Sequence, residues 1–327
     1  MIDISVIIPT YNASAKLLAA IGSVLDHKGL IIQVIVIEDG SKNPSKALLE
    51  RHCKEFLKES ASLTHSSITY HSQSNKGAYL ARIVGLEKSD GKYIKFLDQD
   101  DVLLPQTLNN EISAFDSSVD VILSDWEVLD TTIEGGEIRT LHKAPTLLNP
   151  INDFLKQGGV FTSAALYRTD LLKKVLKPVS EFRPIKADDW LIFAQICLGG
   201  ARYRTIDNLA YIWNQNTEQL SKLSRDELVR EHYEILNWVE NKLRSTQSLT
   251  YERKKLMAHY YAKQLLEAYQ QNKSLFRLLI EKINSLDPNY RQKHGGVLLR
   301  FFCRVLGFKY GIKYYSIIKS IFLQFNR

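Results

Sequence analysis

Three short apolar runs in the first hundred residues each break off into a polar cluster, and this pattern restricts the fold more than any other feature of the chain. Ile4-Ser5-Val6-Ile7-Ile8 ends in Pro9-Thr10-Tyr11-Asn12, and Gln33-Val34-Ile35-Val36-Ile37 ends in Glu38-Asp39-Gly40-Ser41. Tyr93-Ile94-Lys95-Phe96-Leu97 ends in Asp98-Gln99-Asp100-Asp101. Runs this short and apolar suit strands buried on both faces. Between them, apolar residues recur at three and four from Ala15 to Leu25, Pro44 to Leu57 and Lys76 to Leu86, which predicts helices. Strand-helix-strand alternation predicts an α/β fold with a mostly parallel sheet flanked by helices. Ligands of such sheets bind beyond the carboxyl ends of the strands, so the three clusters are expected to meet in space.

The last cluster places three acids within four residues, more charge than a fold buries easily. Oxygen-only ligands suit a hard divalent ion, Mg²⁺ or Mn²⁺, which takes one or two carboxylates and shares its other positions with water and substrate phosphates. An Asp-rich turn followed by Pro105 equally suits the start of a helix, and both readings stay open. No Gly-x-Gly-x-x-Gly follows the first strand and no Gly-x-x-x-x-Gly-Lys-Ser/Thr occurs, so a nucleotide would be held another way.

Of 327 residues, 45% are hydrophobic and 24% charged, the balance of a soluble globular protein. Cys53, Cys197 and Cys303 lack metal-ligand spacing and read as reduced thiols. A first strand at Ile4 leaves no room for a secretory signal, and no run reaches a membrane span, so a cytoplasmic protein is expected. The net charge of +7 is uneven: residues 288–327 hold eight Lys or Arg and no acid, leaving 35 basic against 36 acidic residues in the rest. A neutral body with a basic tail is not the footprint of a nucleic-acid enzyme.

Val6-Ile7-Ile8-Pro9-Thr10-Tyr11-Asn12, Val36-Ile37-Glu38-Asp39-Gly40-Ser41, Asn75-Lys76-Gly77 and Leu97-Asp98-Gln99-Asp100-Asp101 together make the chain resemble the family 2 glycosyltransferases, over roughly residues 1 to 220. The resemblance implies a GT-A fold and transfer with inversion from a nucleotide-diphosphate sugar, UDP-linked by preference. It places the nucleoside on Pro9, Thr10, Tyr11, Asn12 and Asp39, the ribose or metal on Asp98, and the metal on Asp100. A carboxylate accepting from a base N–H discriminates because an unmatched base leaves buried polar groups unpaired. Lys76 and Gly77, opening a helix, and Arg82 further along it are candidate phosphate contacts, although Asn-Lys-Gly is also a common turn.

An inverting displacement needs a base for the acceptor hydroxyl. The resemblance maps that base to Asp189 in Lys186-Ala187-Asp188-Asp189-Trp190, with Asp188 orienting the acceptor or tuning its neighbour. Two acids opening a helix also serve as cap and dipole partners, and both roles can coexist. Trp190 reads as a wall of the acceptor pocket or as a core aromatic. The stretch Gly158 to Ala165, with Thr162 and Ser163, reads as a loop over the acceptor or as a plain connection. Where many relatives place a metal-binding His, this chain has Asn214, whose amide could ligate without charge.

From Ser224 apolar residues again recur at helical spacing, giving the expected organisation: 1–222 catalytic, 223–290 a helical extension, 291–327 a basic, aromatic-rich tail. Phe301, Phe302, Phe308, Tyr310, Tyr314 and Tyr315 among its cations suit the headgroup layer of the inner membrane face. Packing on the protein, or on a second copy as a homodimer, is the other reading. The expected function is transfer to a hydroxyl of a glycan or lipid-linked acceptor in cell-surface polysaccharide synthesis. Its rivals are a metal-dependent nucleotidyltransferase, which would release pyrophosphate, and a non-catalytic nucleotide-sugar-binding scaffold.

Overall fold

The structure, a computed structural model, describes residues 1–59, 66–132, 136–182, 185–215 and 224–291, with 303, 307, 308 and 310–312 beyond them. Contacts divide the chain into two compact units, residues 1–150 with 159–222, and residues 151–158 with 223–327. The larger unit runs β1 (Ile4–Thr10), α1 (Lys16–Leu25), β2 (Ile32–Asp39), α2 (Lys46–Glu59), β3 (Ser67–Gln73), α3 (Ala78–Glu87), β4 (Tyr93–Phe96), β5 (Val102–Leu103), α4 (Thr107–Ser113), β6 (Val121–Asp130) and β7 (Ile138–His142). After α5 (Pro150–Gln157), most of which belongs to the second unit, it continues with β8 (Ala165–Arg168), α6 (Thr169–Val175), α7 (Asp188–Leu198) and β9 (Tyr203–Gln215).

The strands form one mixed sheet in the order β3-β2-β1-β4-β8-β6-β9-β5, with β7 on β6. Its first four strands are parallel. Beyond them β8 runs antiparallel to both β4 and β6, and β9 parallel to β6. Every residue of β1 and β2 is buried, as strands covered on both faces by helices must be. Helix α3 lies close on β1: a Cβ on Gly85 would come within 2.4 Å of Ile7 Cγ2, so only glycine fits there. Edge strand β3, half-buried, has no apolar run and is not foreseen in the sequence.

One residue of β4 breaks the apolar pattern. Lys95, 0% exposed, sends Nζ to both carboxylate oxygens of Glu111 on α4, at 2.7 and 2.9 Å, and Ser124 of β6 donates to the same carboxylate at 2.8 Å. Burial lowers the pKa of Lys95 and raises that of Glu111, each opposed by the partner's charge. The pair ties the sheet to its helix at a cost in desolvation that only full hydrogen bonding offsets.

The second unit contains α8 (Arg225–Ser245), α9 (Tyr251–Gln271) and α10 (Lys273–Leu286). Ser224 and Glu227 form a reciprocal capping box at the start of α8. Ile235, Leu236 and Val239 on α8, Met257 and Leu265 on α9, and Leu279 and Ile283 on α10 are fully buried. Buried Glu240 binds Arg244 and, across to α10, Lys282, each at 2.5 Å. No helix among the described residues is long and apolar enough to cross a membrane. Cys197 and Cys303 are buried thiols outside any disulfide, while the side chain of Cys53 and most of the tail from 291 lie outside the described residues.

Candidate active site

Parallel pairing brings the carboxyl ends of β1, β2 and β4 side by side, and hydrogen bonds lock their polar extensions together. The Tyr11 N–H donates to Gln99 Oε1 at 3.0 Å and Gln99 Nε2 returns a bond to Tyr11 O at 3.2 Å. Asn12, at φ 49°, donates its N–H to Ser41 Oγ at 2.7 Å. Gln99, overlooked in the sequence because it sits among more conspicuous acids, is therefore what ties the first cluster to the third.

Asp39, 4% exposed, accepts three N–H groups: Gln73 Nε2 at 2.8 Å and the backbone of Lys76 at 2.8 Å and Gly77 at 2.7 Å. The amides of Lys76 and Gly77, expected to face a phosphate, donate to this carboxylate. The Lys76 side chain is exposed. Gln73 also went unread, although the β-branched and aromatic residues of Ser67–Gln73 were a signal for the strand that carries it. Gly40 makes the approach possible: its φ is 74°, and a Cβ there would lie 2.5 Å from Asn75 N.

Arg82 differs most from its expected role. Its guanidinium is 2% exposed and spans two carboxylates, Asp98 Oδ1 from Nη2 at 2.5 Å and Asp188 Oδ2 from Nη1. A guanidinium buried between two acids pins residue 188 to the end of β4. Asp189 lies beside it. Thr162 donates both its hydroxyl, at 2.6 Å, and its N–H, at 3.3 Å, to Asp189 Oδ1. The residues Thr162–Ala164 form a single 3-10 turn in which Thr162 and Ser163 are buried, so the hydroxyl of Thr162 faces the acid. Ala187 at the N-cap offers no capping side chain; Asp188 takes a backbone hydrogen bond at the start of α7 as well as Arg82, and Asp189 accepts from Thr162. Trp190 is half-buried, with Gly159 against its ring: a Cβ on Gly159 would stand 3.2 Å from Trp190 Cδ1.

Asp98, Asp188 and Asp189 share one guanidinium, so the charge is not balanced. Burial, with Asp189 and Asp98 adding to it, pushes Asp188 up to about 7 despite Arg82. Burial and Asp98 likewise raise Asp189, against Arg82 and the Thr162 hydrogen bonds.

Asp101 does not start a helix. It is 1% exposed, accepts the Asn214 N–H at 3.1 Å, and leads into β5, while α4 begins only at Thr107 after Gln106 at φ 65°. Burial, with Asp98 and Asp100 beside it, raises its pKa. Asn214 donates Nδ2 to the Asp100 carbonyl at 2.6 Å, which sets the end of β9 against the acidic turn. No three His, Cys, Asp or Glu side chains among the described residues form a cage for a metal ion. The donor set, carboxylates of Asp98 and Asp100 with the Asp98 side chain 44% exposed, fits an ion completed by a diphosphate and water.

A mixed α/β sheet with this acidic pocket is the GT-A architecture: residues superpose on TarS of S. aureus, solved with UDP-GlcNAc, with a TM-score of 0.66 and 18% identity over 99% of this chain and 92% of that one. The chain belongs to glycosyl transferase family 2, whose profile matches residues 5–176. An uncharacterised glycosyltransferase of Nostoc sp. is 30% identical over 220 residues, 64% of this chain and 63% of that protein, so the match spans less than two thirds of the relative. The minor teichoic acid biosynthesis protein GgaB of Bacillus subtilis is 34% identical over 125 residues, 37% of this chain and 13% of that protein.

Proposed function

We propose that this transferase moves a sugar from a UDP-sugar to a hydroxyl of a glycan or lipid-linked acceptor, with inversion, in the building of a cell-surface polysaccharide. The supporting observation is Arg82, which joins Asp98 at the donor-side strand end to Asp188 next to Asp189. The UDP-GlcNAc of TarS and the teichoic acid role of GgaB support the donor and product class.

Thr10, Tyr11, Asn12 and Asp39, following Pro9, hold the nucleoside. Asp98 and Asp100, with Asn214 as a neutral third donor, would hold Mn²⁺ or Mg²⁺. Such an ion supplies charge stabilisation for the departing diphosphate. Asp189 accepts the proton of the acceptor hydroxyl while that oxygen attacks the anomeric carbon from the face opposite the diphosphate. Thr162 holds Oδ1 and so presents Oδ2 to the acceptor. Arg82 is a positioning residue that sets the distance between the two halves of the site. Residues 1–222 carry this chemistry, and the basic tail brings it to the inner membrane face.

A thermal-shift panel of UDP-, GDP- and dTDP-sugars, with and without Mn²⁺, tests the donor, because a ligand that binds only the folded form raises Tm. The expected result is a Mn²⁺-dependent shift with UDP-sugars and release of UDP on turnover. Pyrophosphate release, or no shift with any donor, overturns the reading.

A further inference from the structure

The larger unit contains an aromatic cluster that the donor chemistry does not use. Trp126 on β6 stacks on His142 of β7, with centroids 5.3 Å apart and planes 5° from parallel. Phe161, just before the Thr162 turn, packs edge-on to Trp126 at 5.5 Å and against Trp213 of β9 at 5.2 Å. In the parallel β6–β9 register Trp126 pairs with Tyr211 and Val128 with Trp213, so both tryptophans stand on one face, two residues apart.

Three features separate this cluster from ordinary core. Phe161 is 36% exposed, and Trp213 is half-buried. The indole N–H of Trp126, a residue 9% exposed, is buried without a hydrogen-bond acceptor, a state that ordinary cores avoid. Phe161 is also covalently next to Thr162, which holds Asp189.

We propose that Phe161 and Trp213, backed by the buried Trp126, form the seat for a neutral pyranose ring of the acceptor. This rests on the transferase reading above and adds the acceptor's chemistry to it. Several C–H bonds on one face of a pyranose carry partial positive charge and stack on the negative face of an aromatic ring, while the ring's hydroxyls point outward to polar groups. A ring seated on Phe161 lies one residue from the group that orients the base. An anionic acceptor unit is disfavoured because the cations of β7 and the residue that follows it, Arg139 and Lys143, are already paired. Arg139 binds Glu127 at 2.7 Å, and Lys143 binds Asp125 at 2.7 Å and Asp207 at 2.6 Å. An acyclic polyol phosphate offers neither a flat C–H face nor neutrality.

Saturation-transfer NMR on the full chain with UDP and Mn²⁺ tests the seat, using methyl β-D-glucopyranoside, methyl β-D-galactopyranoside and glycerol phosphate as probes. The expected result is saturation on the C–H protons of one face of a pyranoside and none on glycerol phosphate. Phe161→Ala and Trp213→Ala should each reduce it about tenfold, and Phe161→Tyr should keep it. UDP binding, followed by Tm, reports folding and donor binding in every variant. Saturation that is unchanged in both alanine variants, absent from both pyranosides, or confined to glycerol phosphate overturns the seat. Loss of UDP binding by the parent protein with one-faced saturation intact would sink the transferase reading while leaving a sugar seat.

Discussion

Thr162 gives Asp189 two hydrogen bonds to a single oxygen, Oδ1, from hydroxyl and backbone alike. Both favour the ionised carboxylate, which burial and Asp98 oppose. Thr162→Val removes the stronger bond, so the Asp189 pKa rises further. The acid limb of kcat/KM, where rate grows with the ionised base, should move to higher pH in this variant. Asp189→Asn should abolish transfer while leaving UDP binding intact. A pH-rate profile of UDP release reads both outcomes, and an unmoved limb would remove Thr162 from the mechanism.

Arg82 meets Asp98 and Asp188 through two different nitrogens. Lysine keeps the charge but offers one compact donor where two separated carboxylates need a fork. Arg82→Lys should therefore fold yet lose about a hundredfold in turnover, the usual result of a small misplacement of reacting groups. Product release with a parallel thermal melt distinguishes this from unfolding.

Asp188 carries a pKa raised to about 7 in the folded protein. The folded state thus retains a proton that the unfolded chain releases near the ordinary carboxylate value. Its contribution to stability is full below that value and is lost as the pH climbs through 7. Urea denaturation at pH 5 and pH 8 should show the lower midpoint at pH 8, and Asp188→Asn should flatten the difference.

The buried pair Lys95–Glu111 makes the sheet sensitive to single changes. Glu111→Gln leaves an ammonium without its counter-charge and should cost about 3–5 kcal/mol. Lys95→Met combined with Glu111→Leu removes both charges and should restore much of the loss. Equilibrium unfolding of the single and double variants gives the comparison.

Asp39 accepts two backbone amides and one side-chain amide. In Asp39→Asn an NH₂ must face one of those donors, a mismatch of about 1–3 kcal/mol. Lower Tm and at least a tenfold loss of UDP affinity by calorimetry, about 1.4 kcal/mol, are expected.

The parallel half of the sheet was readable because β1, β2 and β4 are covered on both faces and must be apolar, so their polar ends stand out. β3 escaped because an edge strand alternates polar and apolar residues. The roles of Arg82 and Lys95 were unreadable in one dimension. A lone cation on a helix or strand does not disclose which charge it meets, and Asp188 comes 106 residues after Arg82. The resemblance singles out Asp189 from sequence alone, but only the fold shows that the Thr162 hydroxyl donates to it.

Because a single arginine serves carboxylates from two distant stretches of sequence, those stretches can be exchanged only as a set. A foreign turn after β4 would leave Asp188 as the only carboxylate on Arg82, and a foreign α7 would leave Asp98 so. Chimeras with related transferases should stay active only when residues 82, 98 and 188 arrive from the same parent.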